Sequence, residues 1–528
     1  MNKRILAIAL VAALASSFAQ AADVIPVNFD GPNEGYNDTT PVAPVGGNPG
    51  TTLGEQRQIV ALFAADLWGS VLVSNVPIAV AAQFTPLGPG VLGSAGATGA
   101  YYNFPGVPAN TLHSVALAES IIGQNINGNT VDISSNFSSD FTFYYGLDGK
   151  TPAGQVNFLD VVMHEFGHGL GFQNFENEST GQFSGGIPDI YSTFTYDNTL
   201  GKFWPAMTVA ERQFSAVNNG NVVFTGTSAV AGAGLILGPR TGFRINSPAS
   251  IAGDYVYGTT SFGPAPTAAN FSGNVVLALD EANATGPTTT DGCTPFTNAA
   301  AVAGNIALVD RGVCAAAIKT KNAQDAGATG VVIANNVAGN TPPGFSGSDP
   351  SITIPTIVLT QANGVAIKAA LPGVNLGFYV DPTRLQGADN AGRPRLFMPN
   401  PVQGGSSGSH YDSVAAPNLL MEPAINSTLF GAMNIDITAN LLQDTGWRIN
   451  DGNATIDGCD TGIDVINDAG IIVGANVQAQ SNVCLIGAVK RGDYQNCMDG
   501  YKERLVAAGL ITGKQGGRMM ICASRLGK

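Results

Sequence analysis

This chain of 528 residues predicts an α+β fold. A mixed sheet packs on one buried helix, an α/β block is inserted into it, and a small disulfide-bonded helical region follows. Three observations carry that expectation. The stretch Val156 to Leu170 is apolar at helical spacing and places two histidines four residues apart on one face. Between residues 245 and 382 the pattern switches to short, wholly apolar strands separated by a helix-forming run, as in a βαβ unit. All six cysteines lie in the second half, four of them between Cys459 and Cys522.

Taken in order, residues 1–21 read as a signal peptide. Lys3 and Arg4 form a positive start, Ile5 to Ala15 an apolar core, and Ala19-Gln20-Ala21 a cleavage site. The apolar run is too short for a stable membrane anchor, and no later stretch reaches about 18 apolar residues without polar interruption. An exported chain is therefore expected, without a membrane anchor once mature. Residues 22–54 are rich in Pro, Gly and Asn and predict irregular structure. A helix follows over Leu53 to Trp68, with Ile59, Leu62, Phe63, Ala65 and Leu67 apolar. Strands are expected at Val76–Phe84, at Val131–Ser134 and at Phe141–Tyr145, ahead of the histidine-bearing helix. The last strand before that helix is expected to be an edge along which an extended chain could lie.

In the inserted block, Gly304 to Gly312 is a buried strand ending in a turn, and Ala315–Ala326 has helical composition until Gly327 breaks it. Gly330–Asn335 and Ile352–Leu359 are further strands, with a helix around Ala362–Leu371. The last stretch reads as two short helices clasped by disulfides. Cys293 with Cys314 would form a local bridge, while the last four cysteines allow three connectivities. The segment from Asp451 to Asp460 is acidic enough to suggest Ca²⁺, although it lacks EF-hand spacing.

Charged residues are 12% of the chain, about half the usual share, and the net charge is −14. That balance argues against nucleic acid or an anionic membrane as partner. Gly and Pro together stay below the ~25–30% of disordered chains, and 44% hydrophobic residues supply ample core.

The chemistry concentrates in His164-Glu165-Phe166-Gly167-His168, an H-E-x-x-H pattern. Two histidines four apart on a helix can grip one Zn²⁺, and the glutamate between them can take a proton from water at an open coordination position. The chain has only four histidines, and two fall in this motif. A catalytic zinc needs a third protein ligand. Six residues after His168 stands Asn174, and a neutral amide binds zinc poorly. Asp189 is an alternative ligand, while Glu176 and Glu178 follow the helix too closely. His113 has no motif context and reads as structural. Gly404-Gly405-Ser406-Ser407-Gly408 satisfies G-x-S-x-G, but a serine nucleophile needs a strand before and a helix after it, and here prolines and a Gly/Ser run surround it.

Two resemblances extend this reading. The strand with the Asp310-Arg311-Gly312 turn and following Cys314, the run Lys319 to Ile333 and the Ile354-Pro355-Thr356-Ile357-Val358-Leu359 strand resemble a protease-associated (PA) domain. Such a domain is non-catalytic and is thought to modulate access or contacts. Gly171-Phe172 after the motif, Ser409-His410-Tyr411 and Leu420-Met421-Glu422-Pro423 resemble the leishmanolysin-like metzincins. There an insertion separates H-E-x-x-H from a third histidine, and a Met-turn methionine follows. The resemblance implies a zincin-type fold with His410 as third ligand and Met421 as the Met-turn residue. Tyr411 stands where a tryptophan is common and is assigned no catalytic role. The 235 residues between Asn174 and His410 are no obstacle, since loop closure costs only about 0.6 kcal/mol per doubling of length.

The expected division is a signal peptide at 1–21, the N-terminal catalytic part at 22–244 and the PA-like insertion at 245–382. The C-terminal catalytic part then covers 383–449 and a cysteine-containing extension 450–528. The expected function is that of a secreted zinc endopeptidase acting on protein or peptide substrates, with Glu165 as general base. A non-catalytic adhesin on the same scaffold and a serine hydrolase are the alternatives.

Overall fold

A computed structural model describes residues 21–128, 130–425 and 428–526. The predicted signal peptide, apart from Ala21, lies outside them. The chain divides into two compact units: residues up to 238 together with 385–528, and residues 239–384.

The first unit begins with strand β1 (Val24–Asn28) and helix α1 (Leu53–Val71). A capping box starts α1: Thr52 Oγ1 accepts from the Glu55 amide, and Glu55 accepts from the Thr52 amide. Three strands follow, β2 (Ile78–Thr85), β3 (Gly93–Ala97) and β4 (Ile133–Ser138), and then helix α2 (Phe158–Leu170). The sheet runs β1-β2-β4-β3, with β1, β2 and β4 parallel and β3 antiparallel to β4. The edge strand beside α2 is therefore β3. The expectation placed that edge on the last strand expected before the helix, Phe141–Tyr145, which is instead the two-residue strand Phe143–Tyr144, paired with Val156–Asn157 outside this sheet. Glycine, alanine and serine fill β3, so no alternation of apolar and polar side chains marks it in the sequence.

Asn157 caps α2 through its side-chain oxygen, which accepts from the Leu159 amide, and Gly171 ends it in a left-handed conformation (φ 123°). Every residue of α2 is buried. The helix packs against β3, β4 and α1, and the Trp68 indole N–H of α1 donates to the Met163 carbonyl at 3.1 Å.

The second unit is a seven-stranded sheet. Its strands are β5 (Pro239–Ser247), β6 (Gly253–Asp254), β7 (Ser272–Leu277), β8 (Ile306–Asp310), β9 (Gly330–Ala334), β10 (Thr356–Leu359) and β11 (Asn375–Leu385), in the order β6-β5-β11-β7-β8-β9-β10. Strands β7 to β10 pair in parallel. Helix α3 (Ala316–Asp325) connects β8 to β9, and α4 (Gln361–Ala369) follows β10. Strands β9 and β10 are buried along their whole length, which is why they read as continuous apolar runs. Cys293 and Cys314 form a disulfide in this unit.

The C-terminal stretch differs from the two clasped short helices expected of it. It holds a hairpin of β12 (Asn453–Ile456) and β13 (Cys459–Asp464), then three helices, α5 (Val473–Gly487), α6 (Arg491–Ala507) and α7 (Gly513–Ala523). Disulfides join Cys459 to Cys522 and Cys484 to Cys497. Helix α5 packs along α1, so this stretch belongs to the first unit. The acidic segment suggested for Ca²⁺ forms the hairpin, and Asp460 pairs with Arg518 at 2.8 Å.

Candidate metal centre

Helix geometry brings His164 and His168 to one face, one turn apart. Their Nε2 atoms stand 3.1 Å from each other. His410 arrives from the distant C-terminal part, with its Nε2 3.2 Å from that of His168 and 3.3 Å from that of His164. All three rings are buried.

Each ring is oriented by a backbone carbonyl that accepts from its Nδ1: Leu420 for His164 at 2.7 Å, Phe172 for His168 at 2.8 Å, and Ser406 for His410 at 2.8 Å. With the proton held on Nδ1, each Nε2 presents a lone pair to the same point. Three lone pairs facing one another cannot hydrogen-bond; they fit a cation. Nitrogens about 2.0–2.1 Å from a tetrahedral Zn²⁺ stand roughly 3.3–3.4 Å apart, close to the spacing here. Among the described residues, this is the one group of three or more His, Cys, Asp or Glu side chains that converges as metal ligands would. Burial lowers the pKa of His164 to about 4 and that of His410 to about 3; the neighbouring rings also help depress that of His168. The imidazoles are thus neutral, the form that binds a metal.

Glu165 is buried beside them, and its Oε2 has no hydrogen-bond partner. Burial pushes its carboxyl up to about 8. A cleft of about 670 Å³ opens onto the imidazoles and Glu165, with Gly93, Ser94 and Ala95 of β3 on its wall.

Met421 lies beneath the helix, fully buried. A Cβ at position 167 would stand 2.8 Å from its Sδ, so glycine at that position lets the turn approach α2. Met421 also ties the third histidine in place, because its carbonyl accepts from the Tyr411 amide at 2.9 Å.

The other candidates go elsewhere. His113 is buried, with Nδ1 3.0 Å from the Thr111 carbonyl. Asp189 caps a short helix and accepts from the amides of Phe175 and Ser192. The Asn174 amide donates to Ser409 Oγ, bracing the His410 segment from outside the imidazole group. Glu176 and Glu178 line the cleft without joining that group. The G-x-S-x-G segment is a turn with neither strand before nor helix after it, and its Ser406 carbonyl serves His410. Sequence reasoning missed the three orienting carbonyls, which have no side-chain signature, and the strand that carries Gly93.

The PA domain family matches residues 253–367. No curated protein matches the chain. Among solved structures, the chain is similar to a zinc aminopeptidase from Bacillus subtilis at 24% identity and a TM-score of 0.20, over 29% of this chain and 36% of that one. A subtilisin-like protease from Pseudoalteromonas sp. AS-11 is similar at 21% identity and a TM-score of 0.20, over 28% of this chain and 34% of that one. A peptidase M28 precursor from Shewanella amazonensis is similar at 15% identity and a TM-score of 0.20, over 36% of this chain and 45% of that one. The chain thus spans less than half the length of these proteins.

Proposed function

We propose that this protein is a zinc-dependent endopeptidase of the leishmanolysin-like metzincin type, with a PA domain inserted between its second and third ligands. The observation that carries the reading is the convergence of three neutral, carbonyl-oriented imidazoles beside an unpartnered glutamate in an open cleft. His164, His168 and His410 are the ligands, and Met421 is the apolar support beneath them. Zinc, when bound, supplies Lewis-acid polarisation of a carbonyl and of water.

The chain's own residues do the rest. Glu165 takes a proton from the attacking water on its carboxylate and delivers it to the leaving amine. Its raised pKa reflects burial alone, and a bound cation would favour the carboxylate. The free edge of β3 offers backbone donors and acceptors, which hold an extended peptide across the cleft whatever its sequence. This arrangement suits an endopeptidase, since edge pairing needs peptide on both sides of the cleaved bond.

Three disulfides and the leader-like residues 1–21 support export. No helix among the described residues is long and apolar enough to cross a membrane. Hydrolysis of casein, tested with a zinc chelator and with a serine-directed inhibitor, decides the class. Loss with the first and persistence with the second is expected. Zinc content near one per chain without hydrolysis of any unfolded protein or peptide would favour the adhesin instead.

A further inference from the structure

The turn Leu419–Glu422 meets both the histidine-bearing helix and the segment that carries His410. The Leu420 carbonyl orients His164, the Met421 carbonyl holds the residue after His410, and the Met421 side chain lies against Gly167. An error in its placement therefore reaches His164 directly and His410 through Tyr411. What fixes the turn itself is a buried carboxylate sixteen residues further on.

Asp436 is 3% exposed. Its Oδ2 accepts from the Leu420 amide, and its Oδ1 accepts from the Thr438 amide at 3.1 Å and from Thr438 Oγ1 at 2.9 Å. Its own amide donates to Asn434 Oδ1 at 2.8 Å, and its backbone is held in the left-handed region at φ 45°. None of the ion pairs among the described residues includes it. A buried carboxylate satisfied only by neutral donors is costly. Here it spans two segments, with one oxygen for Leu420 and the other for Thr438, a task that needs two acceptors on one rigid group.

We propose that Asp436 is a positioning residue of the metal centre. It sets the Leu420 peptide so that the Leu420 carbonyl fixes the tautomer of His164 and aims its Nε2. The inference rests on the reading that the three imidazoles hold zinc; it does not depend on what the zinc then does. Asp436 is not among the residues that line the cleft, so its effect passes through the turn it holds, most directly to His164. Neutral asparagine cannot replace it fully. With one acceptor and one NH₂ group, Asn would set a donor against either the Leu420 amide or the Thr438 amide.

The test uses the full chain. Zinc affinity is measured by competition with a chromophoric chelator, and the visible spectrum of the Co²⁺-loaded protein reports ligand geometry. Asp436→Ala should weaken zinc by about 10–100-fold, the usual cost of losing an orienting partner, and shift the Co²⁺ bands. Asp436→Asn should do both to a smaller degree. Asp132→Ala is the control. That carboxylate is also buried and also accepts a backbone amide, from Ala79, but it touches nothing at the centre. It should lower stability and leave affinity and spectrum unchanged. A folded Asp436→Ala with wild-type affinity and spectrum overturns the proposal. If Asp436→Ala does not fold, an Asp436→Asn protein identical to wild type in both readouts overturns it equally. A wild-type chain that binds no zinc fails the metal reading itself, and is recognised before any variant is made.

Discussion

Gly93 of the edge strand lies directly against Glu165: a Cβ on Gly93 would stand 2.6 Å from Glu165 Oε1 and 2.8 Å from its Cγ. The carboxylate thus packs on bare backbone, and the absence of a side chain at position 93 sets where it can sit. Gly93→Ala should push Glu165 aside and lower kcat at least tenfold, with a loss of stability under about 2 kcal/mol, typical of mild overpacking. Measuring kcat and zinc content together checks this; wild-type kcat in the folded variant would show that Glu165 tolerates the contact.

Glu165→Gln should keep zinc and lose hydrolysis. The glutamate carries the proton and is outside the ligand set, so the loss should reach about 10²–10⁴-fold or more. Metal analysis of the purified variant beside its turnover of a peptide substrate separates the two roles. Activity near wild type would remove Glu165 from the mechanism.

His410→Ala should lower zinc affinity sharply and eliminate activity, whereas His113→Ala and Asn174→Ala should retain the metal. The contrast follows from where the rings point: His410 faces the other two imidazoles, and His113 faces its own loop. Equilibrium dialysis against a zinc buffer measures it. Full zinc retention by His410→Ala would reduce the site to its H-E-x-x-H half.

Asp160 makes a pH-dependent contribution. Burial pushes its carboxyl up to about 7, with the Gly431 amide opposing the shift. Because the folded-state pKa is raised, the stability it contributes is full below the unfolded value near 4 and is lost as pH rises through about 7. Asp160→Asn keeps an acceptor for Gly431 and cannot ionise. The difference in Tm should therefore move in favour of the variant by several degrees between pH 5 and pH 8. Thermal melts of both proteins in EDTA give the result, and a pH-independent difference would mean that Asp160 titrates normally.

Replacing residues 239–384 by a short Gly/Ser linker should leave zinc content and small-peptide turnover nearly intact and change the range of protein substrates. The ends already meet, since the Gln386 amide donates to the Gly238 carbonyl at 2.8 Å, and every imidazole of the centre lies outside the excised unit. A folded deletion variant without zinc would show that the insertion helps to build the site.

Much of this protein was legible in the chain because the deciding interactions are local. The two histidines and the glutamate of α2 share a helical face through the i, i+4 repeat, which any helix would impose. Strands β8 and β9 with α3 read as a βαβ unit because parallel strands buried on both faces are apolar throughout. His410 came into view only through a resemblance around Ser409-His410-Tyr411, because nothing local ties it to His164. Tertiary structure decided the rest. Packing chose the pairing Cys459–Cys522 and Cys484–Cys497 among three alternatives, and it made a Gly/Ala segment the edge strand beside Glu165. It also supplied the carbonyls of Leu420, Phe172 and Ser406 that turn three lone pairs to one point. Every residue has a carbonyl, so such contacts leave no mark in a sequence; they exist only once distant segments have been packed together.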